Sequence, residues 1–583
     1  MSGPHPDRRK EAADRLHRLF AEEWEFRMRE NPLYASHCGD HRFDDRLPEV
    51  SEQDIQRRAA RSREFLSRLG GIPREDLSDG DRLHRDLFAR ELEEGIAEVA
   101  FRTHLIGLSR MGGVQKSFTY LPEFTRFETA EDYENYTARL RAFRRYAARH
   151  VELMRAGIAE GFTQPRAVVE GVEKTIQPHL VDRPEDSVFY RPFESLPGRI
   201  APAERSRLAG AGRAAVAESV VPAYADLLRF VEGEYLPAAR QAIDASSLPE
   251  GRALYEHLVR KFTTLDLTPQ EVHDTGRDQV RAIRQEMDAV IREAGFDGTF
   301  RQFVELLRTD PRFYAEKPEQ LLKEAAWIAK RMDGELPRLF GHLPRMPYGL
   351  KPIPEHIAPD ATTAYYSLPA GDFTRAGFYW LNTYDLKSRP LYELEALTLH
   401  EAVPGHHLQL ALQLELKDLP AFRRHGGQTA FCEGWALYAE SLGREAGFYT
   451  DPHSDFGRLT FRMWRACRLV VDTGIHYLGW ARQRAIDFMA ENTALSLLNV
   501  RNEVDRYIAW PGQAVSYMIG ELTIRRLRAA AEERLGEGFD LRGFHQAVLE
   551  EGGIPLNVLE AKVTRWIGRA GEAGAGPRTH DKE

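Results

Sequence analysis

Cysteine is scarce in this chain: Cys38, Cys432 and Cys467 are the only three in 583 residues. An odd and sparse set excludes a disulfide scaffold and suits a reducing compartment. Long hydrophobic runs are missing as well. No stretch of about 18 or more apolar residues is available to span a membrane. The polar stretch Met1 to Lys10 is not followed by the apolar segment of a secretory signal. The expectation is cytoplasmic residence without membrane contact. Positive charge is not in excess either. The 80 Lys and Arg stand against 89 Asp and Glu, a net charge of −9 with no basic tract, which argues against a nucleic-acid partner. Fixed-period repeats are absent, and the Gly-Ala-rich C-terminal tail is the longest low-complexity stretch.

What is present is a globular composition, 42% hydrophobic and 29% charged, with ample length for a large core. That length would allow about four domains, but no linker supports such a division. Amphipathic helical patterns dominate. Tyr133, Tyr136, Leu140, Phe143 and Tyr146 recur at three- and four-residue steps, the stripe of a core-facing helix. Further helices are expected over Ala203 to Glu232, Leu236 to Ala245, Pro269 to Ala294, Asp455 to Gly479, Ala514 to Leu535 and Leu556 to Ile567. The Pro-rich Leu343 to Pro354 ends the helix before it. Ala364 to Ser367 and Gly377 to Asn382 are β-rich runs around Pro369-Ala370-Gly371-Asp372, a hairpin-like signal. The expected fold is mainly α with a small sheet, one continuous structure of three parts. Residues 1–340 form a helical region, 341–568 a catalytic region, and 569–583 a disordered tail.

The chemically pointed stretch is Thr398 to Gln409, with His400, Glu401, His406 and His407 in eight residues of an apolar helical segment. It is close to H-E-x-x-H, in which two histidines one turn apart hold zinc and the glutamate is a general base. Here Pro404 occupies the second histidine's place. In an unbroken helix His406 lies about 9 Å along the axis and about 120° round from His400, too far to share one ion. Pro404 removes a helical hydrogen bond and Gly405 tolerates unusual backbone angles, so the pair is expected to bulge and return His406 to the ligand position. His407, two turns on, competes with it and needs the same break. A metal would compensate for a helix broken among buried ionisable groups.

A third ligand is expected from Glu433 in Thr429 to Glu440, a second apolar helix folded back by the polar Lys417 to Gln428 stretch. The alternative is that Glu433 pairs with an arginine. Glu440, seven residues on, is a candidate acceptor for a ligand histidine. Cys432 points about 100° away from its neighbour Glu433 in a helix and is expected to pack.

The motifs H-E-A-V-P-G-H-H-L-Q and F-C-E-G-W-A-L-Y-A-E, followed by D-T-G-I-H-Y-L-G-W and R-Y-I-A-W-P-G-Q-A-V-S-Y, closely resemble the bacterial domain-of-unknown-function family 885. The resemblance extends upstream to Gly39 to Pro48. It implies a mostly helical zinc peptidase of the gluzincin kind: a metallopeptidase-like fold around a deep cleft, with its sheet beside the active-site helices and one Zn²⁺ per chain. By the same resemblance, an oxyanion donor is expected at His476, oriented by Asp472, or at Tyr517. Arg468, Asp472 and His476 follow at four-residue steps on one helix face. Tyr365, Tyr366 and Tyr379, on the β-rich runs, are candidate substrate contacts through strand addition, unless the hairpin is structural only. Arg506 is a candidate for a substrate carboxylate, or else a surface ion pair.

The expected activity is hydrolysis of an amide bond in a short peptide or peptide-like molecule. In it, His400, His406 and Glu433 hold zinc, which acidifies a water, and Glu401 acts as general base. Two alternatives stand beside it: a hydrolase or lyase acting on a non-peptide biosynthetic intermediate, and a metal-bearing binding protein without turnover. The oligomeric state is not legible.

Overall fold

The computed structural model describes residues 6–355 and 357–574. The helical signals of the sequence become helices for local reasons that can be named. Thr129 opens α1 (Ala130–Glu160) with a capping box: its hydroxyl accepts from the Asp132 N–H, and the Asp132 carboxylate accepts from the Thr129 N–H at 2.7 Å. Tyr133, Tyr136, Leu140 and Phe143 are buried, as their spacing predicts. Thr268 and Glu271 cap α2 (Pro269–Glu293) in the same way, with proline at its first position.

The two helices expected between residues 203 and 245 are instead continuous helical structure over residues 202–238. Two widened π-turns, Val216–Val220 and Val231–Tyr235, interrupt it. Each contains the carbonyl four residues before a proline, Pro222 or Pro237, where a normal turn would clash with the ring.

The sheet has three strands: β1 (Tyr348–Pro352), β2 (Ala364–Ser367) and β3 (Gly377–Leu381), in the order β1-β3-β2. β2 and β3 pair antiparallel, Ala364 opposite Leu381, as the hairpin signal predicts. β1 pairs parallel with β3 and was not expected, because prolines around it suggested only a helix stop. As an edge strand that ends on Pro352, it loses no central hydrogen bond.

Behind the sheet come α3 (Leu394–Glu401), α4 (His406–Glu415), α5 (Thr429–Leu442), α6 (Pro452–His476), α7 (Leu497–Ala509) and α8 (Ser516–Leu535). Helix α6 is the axis of this half: from Asp455 to His476 only Arg462 is not buried. Such a helix must find partners inside the protein for every charge it carries. One apolar cluster reaches from Ala12 to Ile567, so the first and last helices share a core with the sheet and α6. The final helix, α9 (Leu556–Gly574), extends past Ile567 into the tail expected to be disordered. Arg569, Ala570 and Glu572 are good helix formers and support it. Residues 575–583 lie outside the described residues. Among the described residues no helix is long and apolar enough to cross a membrane, and all three cysteines are free.

Candidate metal centre

The segment between His400 and His406 is a full break, not a bulge within one helix. Helix α3 ends at Glu401 and α4 begins at His406. The His407 N–H donates to the Ala402 carbonyl across five residues at 3.0 Å, and the normal ladder resumes with Gln409 to Gly405 at 3.1 Å. The Pro404 carbonyl, freed from the helix, accepts from the Trp435 indole at 2.9 Å. Gly405 is obligatory here: a Cβ on it would sit 1.9 Å from the His400 carbonyl oxygen. The chain therefore folds back on the end of α3, and the two imidazoles stand 4.8 Å apart, centre to centre and nearly perpendicular.

Glu433 reaches the same point from α5. Helices α5 and α8 cross in backbone contact through Gly434 and Gly520. A Cβ on Gly434 would lie 2.4 Å from the Gly520 Cα, and one on Gly520 would lie 2.0 Å from the Ala430 carbonyl oxygen. That crossing sets Glu433 and Tyr517 on one wall. Glu433 Oε2 lies 3.6 Å from His400 Nε2 and 3.4 Å from His406 Nε2. One ligand-type atom from each of the three residues falls within 4.8 Å of the others. Among the described residues the ion partners of Glu433 are these histidines and not an arginine.

The donor set suits a cation. The Glu440 carboxylate accepts from His400 Nδ1 at 2.8 Å, which leaves the Nε2 lone pair aimed at the cluster. Burial works against charging His400, yet the nearby Glu433 carboxylate and its bond to Glu440 raise its pKa to about 9. A positive charge is thus favoured at this point even when only a proton supplies it. Burial likewise opposes ionisation of Glu433, but the two histidines hold its carboxyl well below the usual range. Glu433 Oε2 and His406 Nδ1 are buried and lack a hydrogen-bond partner among the described residues. Two histidines and a carboxylate match a catalytic zinc set.

Glu401 is buried beside the cluster, and desolvation raises its pKa against the pull of His400 and His406. It lines a cavity of about 340 Å³ together with the three ligand-type residues. Tyr365 and Tyr366 of edge strand β2, Tyr517, Arg506 and Cys432 share that wall. Burial pushes the Cys432 thiol up to about 12, so it is a neutral wall group.

The alternative second ligand is set aside, and the readings of His476 with Asp472 and of Tyr379 are corrected. His407 is no ligand: it is buried with its Nδ1 2.8 Å from the Tyr366 hydroxyl, and burial lowers its pKa to about 4. His476 does not reach the cavity. Its Nδ1 accepts from the Ala245 N–H and its Nε2 donates to the Tyr507 carbonyl, both at 3.0 Å. Asp472 does not orient it, but accepts from the Tyr255 hydroxyl at 2.6 Å and the Gly512 N–H at 3.1 Å. Four-residue steps advance about 6 Å each along a helix, so a face that begins on the cavity at Arg468 has left it by His476. Tyr379 is fully buried and off the wall. Strand alternation turns it into the core and away from Phe378 and Trp380.

The sequence reading missed Arg465 and Glu503 and gave Arg468 no role, although all three line the cavity. The available signal was a pair of three-residue spacings, Arg465 with Arg468 and Glu503 with Arg506, on two helices.

The chain belongs to a bacterial family described as "Bacterial protein of unknown function (DUF885)", whose model matches residues 32–563. A crystal structure of a putative lipoprotein from Colwellia psychrerythraea is similar over 96% of this chain and 99% of that one, with TM-score 0.90 and 29% identity. A putative lipoprotein of unknown function from Shewanella oneidensis shares the fold at TM-score 0.67 and 17% identity, over 94% of this chain and 98% of that one. No curated protein matches the chain.

Proposed function

We propose that this protein is a zinc-dependent hydrolase of amide bonds in short peptides or peptide-like molecules, with a metallopeptidase-like fold closed around the cavity. The observation that carries the proposal is the convergence of His400, His406 and Glu433, with Glu401 beside them on the cavity wall. A binding site needs ligands but has no use for a buried general base. A bound Zn²⁺ would act as a Lewis acid, acidifying a water and polarising the scissile carbonyl.

The protein's own groups do the rest. Glu440 fixes the tautomer of His400 through Nδ1. Glu401, its pKa raised by burial, takes a proton from the attacking water and returns it to the leaving amine. Tyr517 remains as the oxyanion donor: its hydroxyl is reached by the Gln513 amide at 3.3 Å, and burial and nearby Glu433 keep it protonated. Edge strand β2 offers backbone groups to an extended substrate. Residence in the cytoplasm, with no membrane or nucleic-acid partner, completes the proposal; three free cysteines fit a reducing compartment.

The test is Glu401→Gln in zinc-loaded protein against a peptide library. Turnover by the wild type and at least a hundredfold loss in the variant, with zinc retained, is expected. Near-native turnover by the variant would remove this mechanism.

A further inference from the structure

Beside the ligand-type residues the cavity is lined by three arginines, Arg465, Arg468 and Arg506. Arg468 Nη2 and Arg506 Nη2 both bind one oxygen, Glu503 Oε2, at 2.9 and 3.1 Å. Among the described residues neither guanidinium has another carboxylate in ion-pair range, so two cations face one anion. Arg465, one turn before Arg468, donates to the Phe461 carbonyl at 3.2 Å and among the described residues has Glu440, at 3.4 Å, as its one ion-pair partner, which is already engaged by His400. Arg468 is 3% exposed, and its Nη1 has no hydrogen-bond partner among the described residues. Its guanidinium lies 4.1 Å above the ring of Tyr517, which ties this wall to the metal centre. A buried cation without a matching anion is costly, and a guanidinium fork is shaped for a carboxylate.

We infer that Arg468 and Arg506 receive the free carboxylate of a peptide's C-terminal residue, so that the enzyme removes residues from the carboxyl end or splits dipeptides. The inference rests on the hydrolase proposal above. One unmatched positive charge fits a monoanion better than a phosphate, which carries nearly two charges at neutral pH. Phe461 and Trp464 on the same wall provide apolar surface for the terminal side chain.

The test compares ligands that differ only in the terminal group. Calorimetry on zinc-loaded wild type with N-acetylphenylalanine and its amide should show the acid binding roughly ten- to a hundredfold tighter, the usual worth of a charge-assisted hydrogen bond. N-acetyl dipeptides should be cleaved with the same preference over their amides, expressed mainly in KM. In Arg506→Gln, checked for unchanged melting, the preference should fall to within about threefold, and Arg506→Lys should restore part of it. Equal cleavage of acid and amide overturns the inference while leaving the hydrolase proposal intact. Equal or absent binding of the two probes also overturns it. An acid preference that survives in Arg506→Gln places the carboxylate elsewhere, on the metal, and overturns it too. Zinc content and Glu401→Gln turnover report on the hydrolase proposal independently.

Discussion

Helix α6 carries two buried polar clusters that look alike in sequence and differ in one physical respect. At its far end, Asp472 and His476 have every bond answered within the protein, by Tyr255, Gly512, Ala245 and Tyr507. Near its middle, Arg465 and Arg468 line the cavity of the candidate metal centre, and among the described residues no hydrogen-bond partner answers Arg465 Nε, Arg468 Nη1, His406 Nδ1, Glu433 Oε2 and Glu440 Oε2. Satisfied buried groups hold a fold together, whereas a group of unsatisfied ones lining one cavity calls for a further partner. The first cluster is therefore architecture, and the second is where the proposed metal and substrate would bind.

The comparison can be pressed where it should give most. Glu503→Gln leaves two buried guanidinia without their shared anion and should cost about 3–5 kcal/mol in denaturant unfolding at pH 7. Burial opposes ionisation of Glu503, but Arg506 and Arg468 prevail and lower its pKa to about 2, below the ordinary 4.5. A depressed carboxyl stabilises fully above 4.5, and the contribution is lost as pH falls through about 2. The gap between wild type and variant should therefore narrow in acid.

Glu401→Gln comes next, with its loss of at least a hundredfold in turnover at unchanged zinc content. Zinc itself should stabilise the fold by about 2.7 kcal/mol at a concentration a hundredfold above its Kd. A chelator should cancel that gain, and His400→Ala should show neither effect, both read as melting temperature.

The smallest effects belong to the satisfied cluster. His476→Gln and Asp472→Asn should leave kcat/KM within about threefold while costing roughly 1–3 kcal/mol of stability. Burial raises the Asp472 pKa to about 7 despite its bonds to Tyr255 and Gly512. A carboxyl raised above its ordinary 3.8 stabilises below that value and loses the contribution as pH rises through about 7. Asp472→Asn should accordingly be less harmful at pH 8 than at pH 5 in urea titrations.

How far the sequence could go follows the same line. The convergence of His400, His406 and Glu433, with Glu401 beside them and Glu440 bonded to His400, was legible because a proline-glycine break inside an apolar run is costly and local, and the seven-residue step from Glu433 to Glu440 is two turns on one helix face. The antiparallel β2–β3 pair and the stripe of α1 were legible for the same reason. His476 was misplaced because equal spacing on a helix says nothing about where a cavity ends. Arg468 was seen but not understood, since its meaning depends on Glu503 and Arg506 from another helix. Strand β1 was missed because parallel pairing has no local signature. The continuity between Glu232 and Leu236, just ahead of Pro237, was missed because a widened turn can hide a proline.

The most direct test of the account is metal content by elemental analysis of folded wild type, His400→Ala and His407→Gln after zinc loading and removal of excess. The account predicts about one zinc per chain in wild type and in His407→Gln, and almost none in His400→Ala. A folded wild type that takes up no zinc, or a His400→Ala protein that keeps it, would contradict the metal centre and leave the break at Pro404-Gly405 as architecture alone.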